Sequence, residues 1–488
     1  MFEGISDFHD WFAERRSRHL YRVSRAPLDQ LAGWSVDPDT HTIRHQSGKF
    51  FSIDGLEVIT NHGPIRTWSQ PIIDQNEVGI LGILVKKIAG VPHFLMQAKM
   101  EPGNINLLQL SPTVQATRSN YTRVHKGKSV PYLDYFRKPG RCRILSDVLQ
   151  SEQGSWFLHK RNRNMIIETA DDVPVLDDFC WLAFDQIADL LLLDNVVNMD
   201  SRTVLAGYPF SEPERPGWLA AAKTDTQAIS ASTALDRTQP RNIVELLSWF
   251  TEVKSGYQLS RTRISLRDVK GWICSLDSVT HEMNRYFSVV GVDVEAGSRE
   301  VGTWSQPMLA PTERGVVAFL VKRVGGGYRV LVQAHTQAGT LDVVEMAPTV
   351  QCAPGNYDAL DADRRPPFLD YVLSAPREQV LLDVVHSEEG GRFYHAENRY
   401  LIITVPDDSD IEAGPDFSWM TVSQLADIAQ YGNYVNIEAR SLLACLRFLR
   451  HAPAVDDSTS QPTGRSRRGR LTGRPQETTV PGPDWDPR

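Results

Sequence analysis

The feature that most constrains this chain is that it contains itself twice. Thr67-Trp68-Ser69-Gln70-Pro71 recurs as Thr303-Trp304-Ser305-Gln306-Pro307, 236 positions further on. The same offset carries Gln97-Ala98 onto Gln333-Ala334, Pro112-Thr113-Val114-Gln115 onto Pro348-Thr349-Val350-Gln351, and Asn120-Tyr121 onto Asn356-Tyr357. It also carries Ser151-Glu152 onto Ser387-Glu388 and Asn162-Arg163 onto Asn398-Arg399, with no gap from Trp68 to Ile167. Solenoid units run about 20–50 residues, so a period this long is a duplicated domain. Apolar cores tolerate swaps, whereas a retained polar identity needs a further reason.

The expected organisation follows. Residues 1–206 form an N-terminal repeat, 207–240 a Pro/Ser/Thr/Ala-rich linker, 241–451 a C-terminal repeat and 452–488 a disordered tail of Pro, Gly, Ser, Thr and Arg. Apolar content of 41% and charged content of 23% fit a soluble globular protein. The net charge of -8 argues against nucleic acid as the main partner. Five scattered cysteines give neither a zinc site nor a disulfide framework, and a reducing cytoplasm suits them. The N-terminus has no apolar signal core, and no apolar run reaches membrane-span length.

Helices are expected over 6–20, capped by Ser6 or Asp7, and over 244–253, 181–193 and 421–430. The stretches 78–87 and 93–100 read as a hairpin, repeated over 315–323 and 329–334. Dinucleotide and phosphate-loop fingerprints, HExxH and GxSxG do not occur, so the sequence implies no cofactor.

The retained polar set has one character. Gln70, Gln115, Gln306, Gln351, Asn356 and Asn398 can both donate and accept, which suits sugar hydroxyls and a pyrimidine edge. Trp68, Trp304 and Tyr357 offer flat faces for stacking. Arg163 and Arg399, with Lys86 and Lys322, can meet a phosphate, and Arg392, which is not repeated, is a further candidate for it. Ser151-Glu152-Gln153-Gly154-Ser155 and Ser387-Glu388 lie at glycine turns after β-rich stretches, where a loop presents functional groups. The plainer readings are a core tryptophan beside a turn for Trp68, a satisfied buried amide for Gln97 and Gln333, and turn chemistry for Glu152 and Glu388. His159 and His395 are either acid–base groups or strand-end structural residues.

Taken together, Thr67-Trp68-Ser69-Gln70-Pro71, Ser111-Pro112-Thr113-Val114-Gln115, Asn120-Tyr121, Ser151-Glu152-Gln153-Gly154-Ser155 and Lys160-Arg161-Asn162-Arg163-Asn164 resemble the NDP-hexose 2,3-dehydratases of deoxysugar and antibiotic biosynthesis. Ala347-Pro348-Thr349-Val350-Gln351 and Ser387-Glu388-Glu389-Gly390-Gly391-Arg392-Phe393 resemble that family's second half. The resemblance spans about residues 6–450. It implies an α+β chain of two tandem Nudix-like domains (mixed sheets flanked by helices), assembled as a homodimer. It further implies the substrate dTDP-4-keto-6-deoxy-D-glucose, loss of water across C2 and C3, and a downstream ketoreductase.

The C4 ketone acidifies the C3 proton, so a base, an acid and donors for the enolate oxygen suffice, with no metal or redox cofactor. The halves differ at Gln150 against His386, Ser155 against Gly391 and Trp156 against Arg392. That asymmetry points to the C-terminal pocket for catalysis, with Glu388 or His386 as base and Tyr357 as acid or enolate donor. A non-catalytic nucleotide-sugar binding protein is the alternative. Mg²⁺-dependent pyrophosphohydrolysis is rejected, because Val384-Val385 stands where a Nudix helix needs Arg-Glu.

Overall fold

The computed structural model describes residues 4–118, 129–140, 142–210, 242–299, 301–324, 327–361, 364–406 and 413–449, together with Phe2 and Ile411. Nearly all of the expected linker, the expected tail and the Asn120-Tyr121 pair lie outside them.

Each repeat contributes a seven-stranded sheet and four strands of a five-stranded one to a mixed α+β architecture. In the first repeat the larger sheet runs 143–151, 161–168, 79–88, 91–100 and 179–183, with short strands 108–111 and 114–116 alongside. Strands 161–168 and 79–88 are parallel, and every other pairing in that sheet is antiparallel. The second repeat copies this, with 315–324 and 397–404 parallel. The expected hairpin is the antiparallel pair Gly79–Ile88 and Val91–Met100, turning at Ala89 and Gly90, both in the left-handed region.

The five-stranded sheets exchange a strand. Tyr21–Ala26 of the first repeat pairs antiparallel with Phe287–Ala296 of the second, in register Tyr21 with Ala296. Leu259–Ile264 of the second repeat pairs with Ser52–Thr60 of the first, in register Leu259 with Thr60. Each sheet is therefore incomplete without the other half of the chain. The repeats also share one core. Phe8 and Phe12 of helix Ile5–Arg18, Leu246 and Phe250 of helix Ile243–Gly256, and strand residues of both large sheets pack into a single cluster. A buried aromatic or aliphatic side chain contributes roughly 1.5–3 kcal/mol, so this shared cluster binds the halves strongly. Among the described residues no helix is long and apolar enough to cross a membrane.

Two expectations need correction. Helix Ile5–Arg18 begins at Gly4 with no side-chain cap, so neither Ser6 nor Asp7 caps it. The stretch 181–193 opens as strand, since Phe179–Ala183 pairs with Val91–Met100 before helix Phe184–Leu190 starts. At 181–183 an available sheet edge outcompetes helix propensity. The helix expected over 421–430 is Val422–Ile428, capped by Thr421, and it follows strand Phe417–Thr421.

Every residue of helix Ile437–Phe448 is buried, including Arg440 and Arg447. Arg440 lies on it, and Arg202 takes the matching place on Met199–Leu205. The Arg440 guanidinium donates to the Ser151 carbonyl at 2.6 Å, and Arg202 donates to the Ser387 carbonyl at 2.9 Å. Each repeat thus holds the other's Ser-Glu loop. Tight backbone crossings complete the junction. Gly103 N–H donates to the Gly390 carbonyl, and His395 N–H to the Gly103 carbonyl, both at 2.7 Å. Gly339 makes the matching bonds with Gly154 and His159. A Cβ on Gly103 would lie 1.7 Å from the Phe393 carbonyl oxygen, and one on Gly339 1.8 Å from that of Phe157, so both positions require glycine.

Candidate active site

A cavity of about 410 Å³ opens on the larger sheet of the first repeat. That lies within the roughly 300–1,000 Å³ typical of small-molecule sites. Its floor comes from the first repeat. Lys99 and Glu101 leave the end of Val91–Met100, Gln115 comes from the short strand beside it, Lys160 and Asn162 from the start of the 161–168 strand, and Asp200 from the Met199–Leu205 helix. Its roof comes from the second repeat, as Arg299, Trp304, Gln306, Glu389, Gly391 and Arg392. Trp34, Phe50 and Phe51 close one wall. The site is composite because the strand exchange and the glycine crossings lay the second repeat over the first.

The floor is ordered by short bonds. Lys99 Nζ donates to the Gln115 carbonyl at 3.0 Å, and Gln115 Nε2 donates to Glu101 Oε1 at 2.6 Å. Asn162 Nδ2 donates to Glu152 Oε1 at 2.7 Å, while Glu152 Oε2 is buried with no hydrogen-bond partner. On the roof, Arg392 Nε donates to Gln75 Oε1 at 3.0 Å, and the guanidinium stacks 4.3 Å from the Phe51 ring centre. Trp34 Nε1 donates to the Ser305 carbonyl at 2.7 Å.

Burial dominates the electrostatics. It pushes the Glu389 carboxyl up to about 8, and the neighbouring Glu152 charge adds to the rise. Burial also raises Asp200 well above the usual carboxylate range, assisted by Glu389, Glu101 and Glu152. It lowers the Lys160 ammonium, against the opposing pull of Glu389 and Glu152. An acid that holds its proton near neutrality close to an amine whose affinity for its proton is lowered by burial is an arrangement suited to proton transfer.

The residues singled out from the sequence divide into groups. Gln115, Trp304, Gln306 and Arg392 line the cavity. Ser151, Glu152, Gln153, Gly154 and Ser155 do not line it: Glu152 reaches the floor through Asn162, whereas Gln153 bonds Glu388 and Gly154 and Ser155 bond Gln337 at the mirrored place. His386, Ser387 and Glu388 are buried at the junction of the repeats, at 0%, 1% and 2% exposure, and do not line the cavity. Glu388 accepts from Asn398, Tyr400 and Gln153, at 2.7, 2.8 and 3.0 Å. Burial, then the Arg202 charge, lowers His386 well below its ordinary value. Trp68, Gln70, Gln351 and Asn398 are the repeat counterparts of Trp304, Gln306, Gln115 and Asn162 and do not line the cavity. Arg399 is bound bidentately to Asp383, at 2.8 and 2.7 Å. Asn356 and Tyr357 lie on a single 3₁₀ turn away from the cavity, and burial pushes the Tyr357 phenol up to about 12.

Lys99, Glu101, Lys160, Asp200 and Glu389 also line the cavity, and sequence reasoning did not single them out as candidates. The available signal was a charged side chain inside or just after an apolar strand, as in Phe94-Leu95-Met96-Gln97-Ala98-Lys99, which surface solvation does not explain.

A duplicated α+β chain with buried acids and amines around one composite cavity has the makings of an enzyme that moves protons on a small polar molecule. Comparison with known proteins agrees. The NDP-hexose 2,3-dehydratase family model matches residues 5–208 and again 243–446, and the chain belongs to that family. It is 54% identical over 445 residues to a dTDP-4-dehydro-6-deoxy-alpha-D-glucopyranose 2,3-dehydratase of Streptomyces violaceoruber, covering 91% of this chain and 97% of that one. Proteins of the same name from Saccharopolyspora spinosa and Amycolatopsis orientalis are 49% and 48% identical, covering 91% and 89% of their own lengths.

Proposed function

We propose that the chain is a hydro-lyase that converts dTDP-4-keto-6-deoxy-D-glucose to dTDP-3,4-diketo-2,6-dideoxy-D-glucose in deoxysugar biosynthesis, and that the composite cavity is its active site. The observation that carries the placement is the buried Lys160–Glu389 pair, one group from each repeat, facing one cavity. The amine of Lys160 takes the C3 proton, which the C4 ketone acidifies. The resulting enolate is met by the positive charge of Lys99. Collapse of the enolate expels the C2 hydroxyl, which leaves as water with the proton of Glu389. The C2–C3 enol then gives up its hydroxyl proton and gains one at C2, forming the diketone. General acid–base assistance of this kind is worth typically 10²–10⁴-fold.

Arg392 and Arg299 are placed to meet the diphosphate, and the faces of Trp304 and Trp34 to receive the base. On this reading His386 and Glu388 hold the loop that carries Glu389, and the chemistry lies in the cavity in front of them. The finer assignments are a Nudix-like fold for the repeats at 1–206 and 241–451, a homodimer, a cytoplasmic setting and a ketoreductase that consumes the product. Resemblance of the repeated motifs supports these.

Incubation with the keto sugar nucleotide, followed by mass spectrometry, tests the function. Loss of one water from the substrate is expected. Binding of dTDP without turnover would instead favour the non-catalytic nucleotide-sugar binding protein.

A further inference from the structure

Trp304 and Gln306 stand two residues apart on strand Thr303–Pro311, so their side chains leave the same face. Trp304 Nε1 donates to Gln306 Oε1 at 3.0 Å, and Gln306 Nε2 donates to the Gly391 carbonyl at 2.7 Å. Both ends of this amide are therefore engaged by the protein, although it lines the cavity. The first repeat builds the same relay independently. Trp68 Nε1 donates to Gln70 Oε1 at 2.9 Å, and Gln70 Nε2 to the Ser155 carbonyl at 2.8 Å. A geometry kept in both copies, although residue 391 is Gly and its counterpart 155 is Ser, belongs to the motif rather than to one ligand. The indole N–H groups of Trp304 and Trp34 are both spent on protein acceptors, so each ring offers the cavity a face and no donor.

We infer that Gln306 is a positioning residue, joining the ring of Trp304 to the Glu389–Arg392 segment as one unit. Seating a flat ring on Trp304 then sets the height of the Glu389 carboxyl over the sugar. Within the segment Arg392 N–H donates to the Glu389 carbonyl at 3.2 Å, while Gly103 N–H holds the Gly390 carbonyl and Leu309 N–H the Arg392 carbonyl, so the Gln306 bond fixes the Gly391 corner that these leave and with it the placement of Glu389. This inference rests on the cavity being the dehydratase site.

Two substitutions test it. Gln306→Met removes both bonds. Gln306→Glu keeps the acceptor for Trp304, loses the donor to Gly391 when ionised, and regains it when protonated. Misplacement by about 1 Å can cost 10²-fold, so kcat at neutral pH should fall on the order of 10–100-fold in both, with dTDP affinity changed by less than about threefold. As pH falls, kcat of Gln306→Glu relative to the unaltered enzyme should recover, while Gln306→Met should show no recovery. Unaltered kcat in either variant, or equal losses without recovery at low pH, would overturn the positioning role. Lack of turnover by the unaltered protein would instead sink the dehydratase reading. Should the Met variant fail to fold, hydrogen exchange at the Trp304 indole of the unaltered protein decides. Protection with and without dTDP is expected, and protection only after dTDP is added would overturn the inference.

Discussion

The cavity on the first repeat and its mirror on the second share a frame and differ in chemistry. Both have the Trp–Gln relay, the asparagine on the Ser-Glu glutamate and the helix-capping asparagine that reaches the strand glutamine. At the mirrored places, however, Lys99 becomes His335, Glu101 becomes Gln337, Lys160 becomes Ala396, Glu389 becomes Gln153 and Arg392 becomes Trp156. The second-repeat side is occupied by its own bonds. Gln337 accepts from Gly154 N–H at 3.1 Å and donates to Ser155 Oγ at 3.1 Å. Gln153 donates to Glu388, and Trp156 packs 4.4 Å from Phe393. The difference teaches that duplication preserved what holds the backbone and diverged in what can move a proton.

The strongest way to break this comparison is to neutralise the buried acid on each side. Glu389→Gln should lower kcat by roughly 10²–10⁴-fold while dTDP binding persists. Glu438→Gln, at the place mirrored by Asp200, should change kcat by less than about threefold, because burial already pushes that carboxyl up to about 8 and keeps it neutral. Equal losses in steady-state assays would abolish the asymmetry.

The frame should respond alike on both sides. Gly103→Ala and Gly339→Ala each force a methyl into a carbonyl, and each should destabilise by about 3 kcal/mol or more in denaturant unfolding. A large effect at only one would show that the crossing is not symmetric.

The pH response separates frame from chemistry. Glu389 and Glu438 both rise from an ordinary 4.5 to about 8. A raised folded value means the folded state binds the extra proton. Their contribution to stability is therefore full below the unfolded value and is lost as pH climbs through about 8. The Tm should fall from about pH 5 to about pH 9, and Glu438→Gln should shallow that fall. The decline of kcat through about 8 should survive Glu438→Gln, since it belongs to Glu389. The smallest effects belong to the outer pairs Arg163–Asp147 and Arg399–Asp383. Each is partly exposed, so Arg163→Ala and Arg399→Ala should each cost no more than about 1 kcal/mol in thermal unfolding.

Much of the frame was legible in the sequence. A register of polar identities announced the duplication, and the hairpin 79–88 with 91–100 followed from apolar runs around a glycine turn. Helix Ile243–Gly256 was expected slightly short, its start fixed by the Asn242–Glu245 capping box. The strand exchange was not legible, since no local pattern tells Tyr21–Ala26 to pair with a strand more than 250 residues away. The site was half legible for the same reason. Looking for retained residues finds the frame, namely Trp304, Gln306 and Gln115. The proposed working groups Lys99, Lys160 and Glu389 lie where the copies diverge, and only the crossing of the repeats brings them to one cavity. Ser387 and Glu388 recur because Arg202, Asn398 and Tyr400 hold them.

The exchanged strands also bear on how the protein is made. Tyr21–Ala26 leaves the ribosome long before its partner 287–296 exists, and the sheet around Ser52–Thr60 waits for Leu259–Ile264. Two open edges must therefore stay unpaired through most of translation, when each is a template for a neighbouring nascent chain. Arg22 and Arg25 on the early strand, both charged, are suited to keep that waiting edge in water. Yield from a crowded expression host should accordingly depend on how quickly the second half follows the first.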